Sequence, residues 1–301
     1  MLDFKAKLVW LSNRYQALFG QFCPRYDDFL IEIATPVMRT LAAGDAPYHT
    51  VDHTLQVIEV GQLILEGKQR RDGTLSPHDW LQFMAALVCH DVGYVKAVLE
   101  QDEGDRHRYA DGKGGWTVIA PTATGAALAD SHVDRGKVYV SSSFQQNSLL
   151  DIGKIQHYIE MTRFPIPHEE LYQDTAHYGG LCRAADLMGQ LSDANYLKKL
   201  PALFREFEET DMNRSLGYQS PEELRAGYPR FFWQVVYPYI QASIYYCGAT
   251  AEGRKVITRL YSNLCLAEID QPPCDATDSH LQNLEDASAL RPWQEAGFTF
   301  L

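Results

Sequence analysis

Apolar residues recur at three- and four-residue steps along most of the chain, the spacing of helices with one buried face. Asp27–Ala43 carries such a stripe without interruption, and Pro36 within it predicts a kink. Thr50–Leu65 carries a second. Ser76-Pro77-His78-Asp79 has the form of a helix start: a serine cap, a proline in the first turn and an early acid. The helix it opens runs through Trp80, Phe83, Met84, Leu87 and Val88, and Gly93 is placed to stop it. Leu149–Thr162 ends ahead of Pro165 and Pro167. Leu181–Leu191, Ala194–Glu209, Ser220–Ala226, Pro229–Cys247 and Glu252–Ile269 follow with helical spacing. No run alternates with the period of a strand, and no internal repeat is present. The pattern predicts an all-α helical bundle, one domain over residues 1–301, with a helical N-terminal extension at 1–45, a core at 46–250, and a C-terminal helix and tail at 251–301. Gln101–Gly125 departs from it. With five glycines it reads as a long loop, of the kind that forms lids and binding loops. The polar tail after Ile269 ends in Phe298, Phe300 and Leu301, apolar enough to dock on the body.

Composition narrows the partners. The 301 residues carry 39 acids against 27 Lys and Arg, a formal charge of −12. That field opposes binding to a nucleic-acid backbone, which needs a basic footprint. It leaves room for a small phosphorylated substrate, because a metal ion inverts the local sign inside one cavity. The longest apolar run, Phe83–Cys89, is far below the roughly 18–20 residues of a membrane span. The first residues, MLDFKAKLVWLSNRY, lack the apolar stretch of a secretion signal. Six cysteines without a CxxC pair read as reduced thiols. The expectation is a cytoplasmic protein with no membrane or nucleic-acid partner; its oligomeric state is not legible.

Three short stretches carry metal-binding residue types. In Tyr48-His49-Thr50-Val51-Asp52-His53 the histidines are four apart, so on a helix they share a face. Val57, Val60 and Ile64 continue the His53 stripe and predict a buried imidazole, which needs a partner such as a metal ion. Two ordinary histidines near a helix start are the plainer alternative. Cys89-His90-Asp91 closes an apolar helix, and a bare carboxylate there is costly to bury without a cation. A polar pair facing water is the alternative. Asp186 stands mid-helix among small and apolar residues, with Arg183 available for a simple salt bridge.

Taken together, His-x3-His, then His-Asp, then a late helical Asp in an all-α chain resembles the HD-domain metal-dependent phosphohydrolases, and most closely the catalytic domain of cyclic-nucleotide phosphodiesterases. The resemblance runs from Tyr48 to Tyr239 and includes Phe231–Pro238, which is similar to the family's last pocket helix. It implies a catalytic core at 46–250 that hydrolyses a nucleotide-like phosphoester with metal-activated water. By position it implies His53, His90, Asp91 and Asp186 as metal ligands, His49 as general acid, and Phe231 as the ring that stacks a base. Zinc, magnesium, manganese or iron suits that donor set, one or two ions per chain. The sequence departs from the family in two places. Tyr94 replaces a second histidine after His90-Asp91, and Tyr228 replaces the glutamine that reads a purine, which leaves the substrate open. His132 lies where other HD enzymes carry a second-metal ligand. Arg106, Arg108 and Lys113 of the long loop are candidates to close over phosphate. Two other classes fit: a diiron HD oxygenase, which needs more histidines, and a non-catalytic nucleotide-binding HD module, which has no need of His49.

Overall fold

In the computed structural model, residues 4–20 and 24–269 are described. The N-terminal part holds α1 (Phe4–Phe19), α2 (Tyr26–Ala42), α3 (Val51–Asp72) and α4 (Pro77–Cys89). After the long loop come α5 (His132–Phe144), α6 (Ile152–Glu160) and α7 (Tyr178–Leu191). Then follow α8 (Tyr196–Glu209), α9 (Met212–Leu216), α10 (Pro221–Phe231), α11 (Tyr237–Cys247) and α12 (Ala251–Ile269). The fold is an all-α bundle. Among the described residues no helix is long and apolar enough to cross a membrane, and Cys89, Cys182, Cys247 and Cys265 are free thiols.

The helix signals act as their chemistry dictates. Ser76 Oγ accepts the Asp79 backbone N–H at 3.0 Å and caps α4, and Ser220 does the same for α10. α2 continues through Pro36. α3 runs past Leu65 to Asp72 and ends at Gly73, whose left-handed φ of 66° closes the last turn. Its extra turns are polar, yet Glu66 among them is buried against Arg14 of α1. α4 stops at Cys89, before Gly93, and residues 92–94 form one tight turn. α10 and α11 are joined by a π-helical turn over Phe232–Val236.

One core cluster includes Leu8 and Tyr15 of α1, Leu30 of α2, Leu55 of α3, Leu87 of α4 and Leu260 of α12, so α1 and α2 pack into the same body as the helices around the site. Two glycines set distances that matter for the site. A Cβ on Gly189 would lie 2.8 Å from Val57 Cα, so glycine lets α7 lie directly against α3. A Cβ on Gly93 would meet the His132 carbonyl oxygen at 1.9 Å, so the turn after α4 sits against the start of α5.

Three features were not in the apolar pattern: the five-residue α9, a hairpin in the long loop, and α5. The loop contains a hairpin, β1 (Arg108–Ala110) antiparallel to β2 (Trp116–Val118), whose three-residue strands are too short to alternate visibly. α5 was also missed, because its run of serines and Gly136 lower its helical signal. The proposed docking of Phe298, Phe300 and Leu301 lies outside the described residues.

Candidate metal centre

The contact of α3 with α7 and the end of α4 brings four polar side chains into the apolar core. His53, His90 and Asp91 are buried and Asp186 nearly so. His53 Nε2 is 3.4 Å from Asp91 Oδ2 and 3.1 Å from Asp186 Oδ1. His90 Nε2 is 3.1 Å from Asp91 Oδ2 and 3.6 Å from Asp186 Oδ1. Four donors each about 2.1 Å from one cation stand about 3.0–3.4 Å apart in tetrahedral or octahedral arrangement. Three of the four edges fall in that range, and the fourth, His90 to Asp186, is 3.6 Å.

The tautomer of His90 strengthens the point. Its Nδ1–H donates to the Leu87 carbonyl at 2.8 Å, which turns Nε2 to the cluster. Both His90 Nε2 and Asp91 Oδ2 are buried without a hydrogen-bond partner, although they are neighbours. Two lone pairs converging on one point repel unless a cation or a proton stands between them. Burial alone would raise the carboxyls of Asp91 and Asp186, but the facing imidazoles of His90 and His53 hold both well below the usual carboxylate range. Burial opposes charge on His90 as well, yet Asp91 and Asp186 push its pKa well above the ordinary histidine value. The cluster attracts positive charge. His53, His90 and Asp186 form one group with metal-ligand spacing, and His49, His53 and Asp91 form an overlapping one.

His49 does not share a helical face with His53, because α3 begins at Val51 and Thr50 is extended. It reaches the cluster from the preceding bend, its ring 5.5 Å from that of His53. Glu206 of α8 holds it there. One carboxylate oxygen accepts the backbone N–H groups of Tyr48 and His49 at 2.6 and 3.0 Å, and the other lies 2.5 Å from His49 Nδ1. Burial opposes the charge on His49, but Glu206 outweighs it and raises its pKa to about 9. The same pairing lowers that of Glu206, again against its burial. The Glu206 pairing thus favours the protonated form of His49 and leaves Nε2 as its second ring nitrogen.

The sequence contained a sign of Glu206 that went unread. It falls at the next helical step after Tyr196, Leu200 and Leu203, an acid in the buried stripe of α8.

His132 lines the same cavity but belongs to neither metal-spaced group. Tyr94 intervenes. Its ring is stacked on His49 at 4.4 Å and on His132 at 4.2 Å, three nearly parallel rings in a row. His132 is turned by its Nδ1 toward the Ala129 carbonyl at 2.5 Å, and burial lowers its pKa.

Phe231 and Tyr228 both line the cavity. Phe231 stands edge-on to Phe164, with centroids 5.9 Å apart, and Tyr228 is 2 % exposed with an unpartnered hydroxyl. The loop cations are not in the lining. Arg106 pairs with Glu103, Arg108 lies over Trp116, and Lys113 pairs with Asp134. The lining contains Arg163 and Arg183 instead. Arg183 does not pair with Asp186; it donates to the carbonyls of Met161, Tyr172 and Asp174.

An all-α bundle with a buried His/Asp cluster of metal-ligand geometry, open to one cavity, is the class these observations define. The chain belongs to the Npun_R2479-like family, whose sequence model matches residues 4–270. A search of curated proteins finds no match.

Proposed function

We propose that this chain is a metal-dependent phosphoester hydrolase of the HD type, acting in the cytoplasm on a small substrate. The observation that supports it most is the placement of His49, paired with Glu206, beside four converging donors, of which Asp91 and Asp186 line the same cavity as His49. His53, His90, Asp91 and Asp186 would hold a divalent ion. Such an ion supplies Lewis acidity and a water acidified toward neutral pH. The chain's own residues do the rest. Glu206 fixes the ring of His49 and favours its protonated form, and Tyr94 stacks on the His49 ring. When water adds to phosphorus and the ester P–O bond breaks, the leaving alkoxide takes the His49 proton. Phe231 and Phe164 offer ring faces and edges to a flat group on the substrate.

The geometry gives no support to the oxygenase alternative, because His132 is separated from the cluster by Tyr94. The test is His49→Asn in protein loaded with manganese or zinc. Metal content should stay, while turnover falls about 10²–10⁴-fold for an alkyl leaving group and much less for nitrophenolate. Equal losses for both leaving groups would make His49 a structural or ligand residue. Oxygen-dependent turnover with two irons per chain would replace the hydrolase by an oxygenase.

A further inference from the structure

Tyr94 lines the cavity at its acidic end, where its hydroxyl feels the charges of Asp91, Asp130, Asp186 and Glu206, all four in the same lining. Its ring is held on both faces. His49 lies 4.4 Å away at an interplanar angle of 14°, and His132 lies 4.2 Å away at 17°. That stack fixes the plane of the ring and leaves its edge, with the hydroxyl, outside the sandwich. Other lining hydroxyls are spoken for. Thr162 Oγ1 donates to the Ile159 carbonyl at 2.8 Å, Thr210 Oγ1 donates to the Phe207 carbonyl at 3.3 Å, and Tyr196 is bonded to Gln190. The Tyr228 hydroxyl is sealed from the cavity and without a partner. Among the described residues the Tyr94 hydroxyl also makes no hydrogen bond, yet it is not one of the sealed atoms. It is open to whatever enters.

On the hydrolase reading above, we propose that Tyr94 is a catalytic residue whose hydroxyl donates a hydrogen bond to a non-bridging oxygen of the substrate's phosphoryl group. Ionised acids accept hydrogen bonds and cannot donate them, so a phosphoryl group entering this end meets four carboxylates that repel it. A neutral donor among them lowers that cost. A phenol is un-ionised at neutral pH, and burial together with the surrounding acids holds the Tyr94 proton more firmly still. Two stacked rings present their edges side by side, so Tyr94 and His49 reach one group together. His49 serves the leaving oxygen and Tyr94 another oxygen on the same phosphorus. The stack orders the donor before substrate arrives, so no reorganisation is left for the moment of reaction. This gives the departure at position 94 a chemical sense: where a histidine would offer a lone pair to a cation, the phenol offers a proton to an anion.

Tyr94→Phe tests this with little else disturbed, since the ring stays and no protein hydrogen bond is lost. It should keep its melting temperature in chelator and its metal content. Calorimetric titration of manganese-loaded protein with inorganic phosphate should show binding about 10–100-fold weaker than in the unmutated chain, the value of a hydrogen bond to a charged acceptor. Turnover should fall at least about ten-fold. The loss should be the same for an alkyl and a nitrophenyl ester, because the non-bridging oxygen is common to both. Equal phosphate affinities, or no phosphate binding by the unmutated chain, would overturn the proposal. Slower turnover at equal affinity would place the hydroxyl on the attacking water instead. A loss larger for the alkyl ester would mean that Tyr94 acts through His49, and would overturn it too. If phosphate binding weakens in Tyr94→Phe but the unmutated chain cleaves no ester, the hydrolase reading fails and the Tyr94 contact stands.

Discussion

Two buried charge clusters lie close together in this fold, and they are built in opposite ways. Arg135 and Asp102 are both fully buried. The guanidinium uses all five N–H groups, on Asp102 and on the carbonyls of Gly93, Val95 and Ala110. Asp102 also accepts the backbone N–H groups of Leu99 and Ala110. That cluster is closed: it ties the long loop to α5 and has nothing left to bind. In the His53, His90, Asp91, Asp186 cluster the donors converge, yet His90 Nε2 and Asp91 Oδ2 remain without partners. A fold that completes one buried pair to the last N–H and leaves lone pairs facing in the other distinguishes a structural pair from a binding site.

The sharpest way to break this comparison is to remove one acid from the open cluster. Asp91→Asn and Asp186→Asn should each abolish metal-dependent hydrolysis. They should also abolish the metal-induced rise in melting temperature, which for the unmutated chain at 100 times Kd corresponds to about 2.7 kcal/mol. Differential scanning calorimetry with and without manganese or zinc reads this independently of any substrate. A full metal response in Asp186→Asn would remove Asp186 from the ligand set.

The closed cluster should behave in reverse. Arg135→Met strands a fully buried Asp102 and should cost about 3–5 kcal/mol, measured by urea unfolding. Adding Asp102→Leu should restore part of that loss, since no bare charge remains. Added metal should stabilise the single variant, if it folds, by as much as it does the unmutated chain. A loss below about 1 kcal/mol, within the range of exposed pairs, would mean that Arg135 is not the keystone of the loop.

The two clusters were not equally legible in the sequence. His53, His90, Asp91 and Asp186 announce themselves as polar residues in apolar surroundings, and buried polar groups need an explanation that residue type alone suggests. The all-α reading has the same source, because long stripes such as Leu30–Leu41 survive local exceptions. Arg135, Asp102 and Glu206 act across 33 and 157 or more residues of separation, and no local spacing reveals such partners. Tyr94 was read as an absent histidine, whereas its ring forms the centre of a stack with His49 and His132. The loop cations misled for a related reason. Their charge is visible in the chain, but the acids that take it up, Glu103 and Asp134, are chosen by the hairpin and α5.

The smallest expected effect is the one that depends on pH. His49 and Glu206 form a charged pair at the edge of the open cluster, and the folded chain raises the histidine pKa from 6.5 to about 9. A pKa raised on folding adds stability that is fully present below pH 6.5 and is lost as pH rises through about 9. Its size is on the order of 3 kcal/mol. Glu206→Gln keeps an oxygen for the Tyr48 and His49 backbone N–H groups while removing the charge. In chelator, the gap in melting temperature between the unmutated chain and Glu206→Gln should therefore be widest near pH 6 and narrow steadily toward pH 9.5. Both proteins share the remaining titrations, so the difference isolates the pair. A gap that stays constant over that range would mean that Glu206 supports the bend through its backbone bonds alone, and that His49 is neutral near pH 7.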